Sequence, residues 1–97
     1  MEITAIGGSA LIAAGKAANI HANNIVNRHT PNYRPQAPVY SPIVGGGVAA
    51  FSQDVTQPYN ALRDAIGLQS ATIQYEAAAG VIKRGEEVSN YLVRELA

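Results

Sequence analysis

Two histidines, His21 and His29, are the side chains of this 97-residue chain best suited to acid–base or metal chemistry. They stand eight positions apart, about two helical turns. That is too far to hold one ion jointly without a third ligand between them, and no carboxylate lies near them in the sequence. The chain has no cysteine, which removes thiolate nucleophiles, disulfides and cysteine metal sites together. Ser9, Ser41, Ser52, Ser70 and Ser89 lack the strand–turn–helix context of a nucleophile elbow. Gly45-Gly46-Gly47 has the composition of a phosphate loop, but no Lys-Ser/Thr pair follows it and no helical pattern begins there. Glu76, Glu86, Glu87 and Glu95 stand at helical spacings from Lys83, Arg84 and Arg94, the pattern of a solvated, partly paired face. Tyr33, Tyr40, Tyr59, Tyr75 and Tyr91 are spread along the chain with only scattered basic residues among them and read as packing anchors rather than a base-stacking platform. The histidines read as polar contacts at a helix end. The expectation is a protein that is not an enzyme, with no cofactor, no metal and no small-molecule substrate.

The chemistry that remains is hydrogen bonding, concentrated in Asn23-Asn24-Ile25-Val26-Asn27-Arg28-His29-Thr30-Pro31-Asn32-Tyr33-Arg34. A helical pattern stops here and an extended one starts. Asn24 and Asn27 are residues that bond nearby backbone or tolerate a left-handed helix end. Pro31 biases Thr30 away from the α region. Thr30-Pro31-Asn32-Tyr33 reads as a tight turn, with Asn32 at the position that favours positive φ.

Seven basic and seven acidic residues cancel, so no strong field points to nucleic acid or an acidic membrane. The apolar fraction is 47%, yet it is largely alanine, with one Phe, one Met and no Trp. Alanines bury little area each, so at roughly 25 cal/mol per Å² a self-contained core would be weak. Help from neighbouring molecules is expected. No stretch approaches the ~20 apolar residues of a membrane span. Glu2 stands where a signal peptide has its basic region and Lys16 interrupts the apolar run, so a cleaved leader is not expected.

These patterns predict a first helix within 1–28, an extended connector over 29–58 and a second helix within 59–97, in one domain. In the first, Ile3, Ile6, Ala10, Ala13, Ala17, Ile20 and Asn24 alternate in steps of three and four, the seam of a coiled coil. Leu11, Ala14, Ala18 and Ile25 form a neighbouring face. Gly7, Gly8 and Gly15 each cost up to ~1 kcal/mol against alanine but admit close approach. The helix is therefore marginal alone; the alternative is a frayed start with the helix beginning near Ser9. In the connector, Pro35, Pro38 and Pro42 forbid helix and favour polyproline-like geometry. Gly45-Gly46-Gly47 is an elbow, and Val48–Phe51 a short strand that could pair with Ala37–Ile43 in a loose hairpin. Gln53–Pro58 reads as a connection. Asn60 is a good N-cap for a run from Ala61 to about Glu95, with Asp64 complementing the dipole in its first turn. Leu68, Thr72, Tyr75, Ala79 and Ile82 share one face of that run, and Val81, Val88, Leu92 and Leu96 continue its apolar stripe.

The stretch Asn24 to Arg34 resembles the N-terminal motif of the bacterial flagellar axial proteins (rod, hook and hook-associated proteins), roughly A-x-N-I-A-N-x-x-T-P-G-Y-K. Asn24, Ile25, Asn27, Thr30, Pro31 and Tyr33 match it, and Arg34 keeps the basic residue. Val26 replaces the usual Ala, and Asn32 replaces the usual Gly, for which Asn is the commonest substitute at positive φ. The C-terminal run resembles the family's other half. Asn60 matches its polar cap, Asp64 an acidic position, Ala71 its alanine and Tyr75 its tyrosine, followed by Ala77, Val81, Ile82 and Lys83. Ala78 stands where the family has Asn. Both halves occur in the family's order, without the central domain that many rod and hook proteins insert between them.

The resemblance implies a short proximal-rod-like member of the basal-body rod family. It implies export through the flagellar type III apparatus, residence in the periplasmic rod, and partners that are copies of the chain and other flagellar axial proteins. The fold expected is mainly α, an antiparallel, coiled-coil-like pair of long helices joined by an extended Pro/Gly-rich segment with a short β-hairpin. Ile6, Ala13, Ala17, Ile20, Leu68 and Leu92 are its expected assembly seam. The other reading of the same stripes is a small helical module that self-associates into a closed bundle or acts as an adaptor outside any filament.

Overall fold

The computed structural model describes residues 3–56 and 59–96. Helix α1 spans Ile3–Val26, strand β1 Gln36–Pro42, strand β2 Val48–Asp54 and helix α2 Ala61–Leu96. The molecule is a rod of 62 × 24 × 15 Å. It is mainly helical, with one small antiparallel two-stranded sheet.

The helices run antiparallel. A Cβ on Gly7 would lie 2.9 Å from Ile82 Cγ1, and one on Gly15 would lie 3.8 Å from Tyr75 Cε2. Farther along α1, the His21 ring lies against Gly67. The apolar residues buried between elements are Ala13, Ala14, Ala17, Ala50, Ala71 and Ala78, every one an alanine. A buried methyl contributes on the order of 0.8 kcal/mol, so this contact is close and thin. Both α1 faces named by the spacing enter it, Ala13 and Ala17 from one and Ala14 from the other. The side chain of Ile3 lies outside the described residues. On α2 the inward line differs from the expected one. Asp64, Ala71 and Ala78 are buried, seven residues apart, whereas Thr72 and Ala79 are exposed and Leu68 and Ile82 only half-buried. Large apolar residues flank the contact; small ones fill it, because only they let two backbones come together.

The start of α1 is at Ile3 rather than near Ser9. Its first turn holds no acidic residue and its last no basic one, so the end needs other support. Asn27 Nδ2 donates to the Asn23 carbonyl at 2.9 Å, and Arg28 Nη1 donates to that of Ile25 at 2.8 Å. These bonds add a second donor to carbonyls of the last turn that also accept the Asn27 and Arg28 amides. The chain then reverses through Thr30–Tyr33, with the Tyr33 amide on the Thr30 carbonyl at 3.3 Å and Asn32 at φ 65°.

The connector forms the expected hairpin, and its first arm is a paired strand rather than polyproline-like. β1 and β2 pair in register from Gln36–Asp54 to Pro42–Val48. β2 thus runs past Phe51, and Gln53 and Asp54 belong to it rather than to a connection; Gln57 and Pro58 lie outside the described residues. The prolines are tolerated for a positional reason. Ile43 donates to Gly47, and Val55 to Pro35, so odd-numbered β1 residues face β2 and the even-numbered Pro38 and Pro42 face the open edge. There their missing N–H groups cost nothing and discourage a further strand. Gly45, Gly46 and Gly47, at φ 91°, 111° and 103°, turn the hairpin in conformations that favour glycine. Ser9 fastens the turn end to α1, accepting from the Val48 amide at 3.1 Å while donating to the Ile6 carbonyl at 2.8 Å.

α2 is the longer helix, 36 residues against 24. Since Gly7 meets Ile82, the start of α1 at Ile3 lies level with about Glu86, and α2 extends roughly 15 Å beyond it. Val88, Leu92 and Leu96 lie exposed on this overhang.

Two glycines of α2 should respond oppositely to alanine. A Cβ on Gly67 would overlap the His21 ring, whereas one on Gly80 meets nothing within 4 Å. Gly67→Ala is expected to lower stability by roughly 1–3 kcal/mol, and Gly80→Ala to raise it by up to ~1 kcal/mol. Urea titration followed by circular dichroism measures both.

Candidate functional site

The polar residues buried in the described structure are Asn24 and Asp64, 0% and 1% exposed. Around them lies the most elaborate side-chain network of the molecule. Asn24, in the last turn of α1, uses its whole amide. Its Nδ2 donates to the Gln36 carbonyl at 2.7 Å and to Asp64 Oδ1 at 2.9 Å. Its Oδ1 accepts from the Gln36 amide at 3.0 Å and from the Tyr33 hydroxyl at 3.0 Å. Two donors and two acceptors is the full capacity of an asparagine side chain.

This arrangement has a backbone logic. Gln36 is even-numbered, so its N–H and C=O point to the open edge of β1. Asn24 meets both groups as a neighbouring strand would. One side chain therefore docks the hairpin on the helix and closes the edge where β1 begins. Gln36 Nε2 reaches across the ladder to Asp54 Oδ1 and steadies the same corner.

Asp64 brings α2 into the node. Its Oδ1 accepts from Asn24 and also from His21 Nδ1 at 2.9 Å. His21 is nearly buried, with 12% of its side chain exposed, and stands three residues before Asn24, on the same side of α1. Gly67 stands three residues after Asp64 and leaves room for the ring. Asp64 Oδ2 is buried without a partner. The cap of α2 is separate: Asn60 Oδ1 accepts from the Arg63 amide at 3.0 Å. Asp64 thus stands in the first turn of α2, as expected for a residue complementing the dipole, and in addition turns its carboxylate to α1. His21 is a polar contact near a helix end as expected, but its partner is a carboxylate distant in the chain. Tyr33 has its pKa raised, first by burial and then by the negative charge of Asp64.

The remaining motif residues build the approach to the node. Asn27 accepts from the Thr30 hydroxyl at 3.1 Å across the turn. Thr30, Pro31 and Asn32 are exposed, and Ile25 is half-buried. Tyr75 packs over Gly15, and Val81 and Ile82 pack over Gly7, toward the other end of the helix pair. Of the expected seam, Ala13 and Ala17 are buried and Ile20 and Leu68 half-buried, while Ile6 and Leu92 are exposed. The structure therefore joins Asn24 to Tyr33 directly and leaves the seam residues spread along the rod. His21, Gln36 and the inward role of Asp64 were missed. One signal was present: Asp64, Ala71 and Ala78 repeat at seven residues, which puts an acid on an otherwise small, inward line.

Chemically the node is a clamp. Its donors and acceptors are turned on one another, and among the described residues no three metal-ligating side chains converge. A comparison with protein families and with curated proteins finds no match to this chain.

Replacing Asn24 by Ala would strand the Gln36 amide and the Tyr33 hydroxyl. At roughly 1–3 kcal/mol per unsatisfied buried group, Asn24→Ala is expected to lose at least ~2 kcal/mol of stability in urea titration. Tyr33 supplies a pH dependence. A raised tyrosine pKa means that the fold favours the neutral phenol. Its contribution is fully present below the ordinary value near 10 and is lost as pH rises through the raised one. The stability gap between wild type and Tyr33→Phe, about 1 kcal/mol at neutral pH for the lost hydrogen bond, should close above about pH 10.

Proposed function

We propose that this chain is a structural subunit of the bacterial flagellar basal-body rod. On this reading it is exported through the flagellar type III apparatus to the periplasm, and its partners are copies of itself and other flagellar axial proteins. The observation that carries the reading is the placement of the motif residues. Asn24 and Tyr33, which match the axial-protein pattern, sit at the point where the two terminal helices and the hairpin join. The resemblance therefore falls on residues with a physical task in this chain.

The exterior of the rod supports the same reading. Val88, Leu92 and Leu96 on the overhang of α2, with Ile66 and Ile73 nearer its start, leave apolar surface that the chain itself does not cover. Leu92 is 52% exposed and Leu96 85%. Surfaces of this kind ordinarily meet a partner. Packing between copies would proceed in coiled-coil fashion along the seam residues left open, Ile6, Ile20, Leu68 and Leu92, because Ala13 and Ala17 are already buried between the chain's own elements. Repeated contacts that do not close on themselves give a filament or tube. The role assigned is structural, with no catalytic step.

Two measurements test the proposal. Deleting the gene should leave basal bodies with an absent or truncated rod under electron microscopy, and an intact rod contradicts the assignment. Purified chain should sediment as weakly folded monomer or growing polymer. A discrete, concentration-independent oligomer would instead favour a closed helical bundle outside any filament.

A further inference from the structure

The node contains one feature that a purely mechanical clamp does not need. Asp64 is 1% exposed, and its carboxylate faces no lysine or arginine within ion-pair distance among the described residues. Its neighbours are the neutral amide of Asn24 and the imidazole of His21. One carboxylate oxygen carries two hydrogen bonds while the other, Oδ2, is buried with none. An ionised carboxylate so placed is strongly disfavoured unless a positive charge accompanies it. His21 is the group positioned to supply that charge.

We propose that the His21–Asp64 pair is a proton-held latch, closed when the two side chains share one proton beyond a neutral imidazole and a bare carboxylate. Written as imidazolium and carboxylate, or as imidazole and carboxylic acid, the closed pair holds the same single proton and carries no net charge. Removing it leaves a lone anion in the junction. In an open chain near neutral pH an exposed histidine is largely neutral and an exposed aspartate ionised. Closing the latch therefore takes one proton from solvent, and opening returns it.

The latch joins all the elements at once. His21 lies on α1 and Asp64 on α2, and Asn24, bonded to the same oxygen, carries the hairpin through Gln36. Loss of the proton weakens helix pairing and hairpin docking together. The other charged or titratable groups around the pair are few. α2 carries Arg63 next to Asp64 in the chain, with its Nη2 buried and outside any ion pair with the carboxylate; the turn presents Tyr33, and β2 presents Asp54 through Gln36 Nε2. Arginine, tyrosine and exposed aspartate side chains ordinarily keep their charge between about pH 5.5 and 8.5, so they form a constant background to the pair. His29 is exposed in the turn and is not among the hydrogen-bonded residues of the node. The inference rests on node geometry and stands whether or not the chain enters a filament.

The test is the pH dependence of folding of the full chain between about pH 6 and 8. Helicity is followed in urea, and in added trimethylamine N-oxide where the isolated helices are only partly formed. The ratio of folded to unfolded chain should fall as pH rises, by at most about tenfold per pH unit, the limit for one proton taken up on folding. Asp64→Asn keeps the shape of the side chain and should remove the slope. His21→Gln should also remove it, and His29→Gln should keep it. A wild-type ratio that changes less than about twofold over the range, a slope that survives Asp64→Asn, or a slope lost in His29→Gln overturns the proposal.

Discussion

An asparagine with all its hydrogen-bonding capacity in use is a strong constraint, because each partner must be at a set distance and direction. Asn24 holds the amide and carbonyl of Gln36, the hydroxyl of Tyr33 and one oxygen of Asp64. The first two fix where the hairpin begins relative to α1. The third fixes the turn between them. The fourth fixes how far α2 is slid along α1. A buried amide with any of these missing carries a desolvation cost that the thin apolar contact is poorly able to offset. The geometry of the molecule follows from satisfying this one side chain.

The alanine contact explains why such a polar device is needed. Methyl groups permit close approach but discriminate little between one register and the next, since a slide by one turn often replaces alanine with alanine. A hydrogen-bonded node at one end selects a single register, as buried polar residues do in some helical assemblies. Glycines at positions 7, 15 and 67 then accept Ile82, Tyr75 and His21 at successive levels of that register. The larger apolar residues, excluded from the narrow contact, stand outside it. The features that make the helix pair specific thus also leave its exterior incompletely covered, which is the physical basis of the building role proposed for the chain.

What was legible in the sequence was mostly local. The turn at Thr30–Tyr33 and the positive φ of Asn32 follow from proline and asparagine chemistry within four residues. The helices announce themselves through long apolar periodicity and the Asn60 cap. The hairpin was half legible. Pro38 and Pro42 argue against a strand until it is known that their faces of β1 look away from β2, and that depends on pairing parity rather than composition. The inward line of α2 was misjudged because the sequence reading weighted large apolar residues, whereas a close contact selects small ones. The node was least legible, since His21 and Asp64 are 43 residues apart. Nothing in either neighbourhood names the other, and an acid in a first helical turn has a simpler local explanation in the dipole.

The most direct measurement is amide hydrogen exchange at Gln36, whose N–H points away from its strand partner and is held in the structure by Asn24 Oδ1. The account predicts that this amide exchanges as slowly as those of Val39 and Phe51 inside the ladder, and that its protection disappears with Asn24. An amide at Gln36 that exchanges at the rate of an open edge, while the ladder and helices remain protected, would mean that the node does not hold the molecule together.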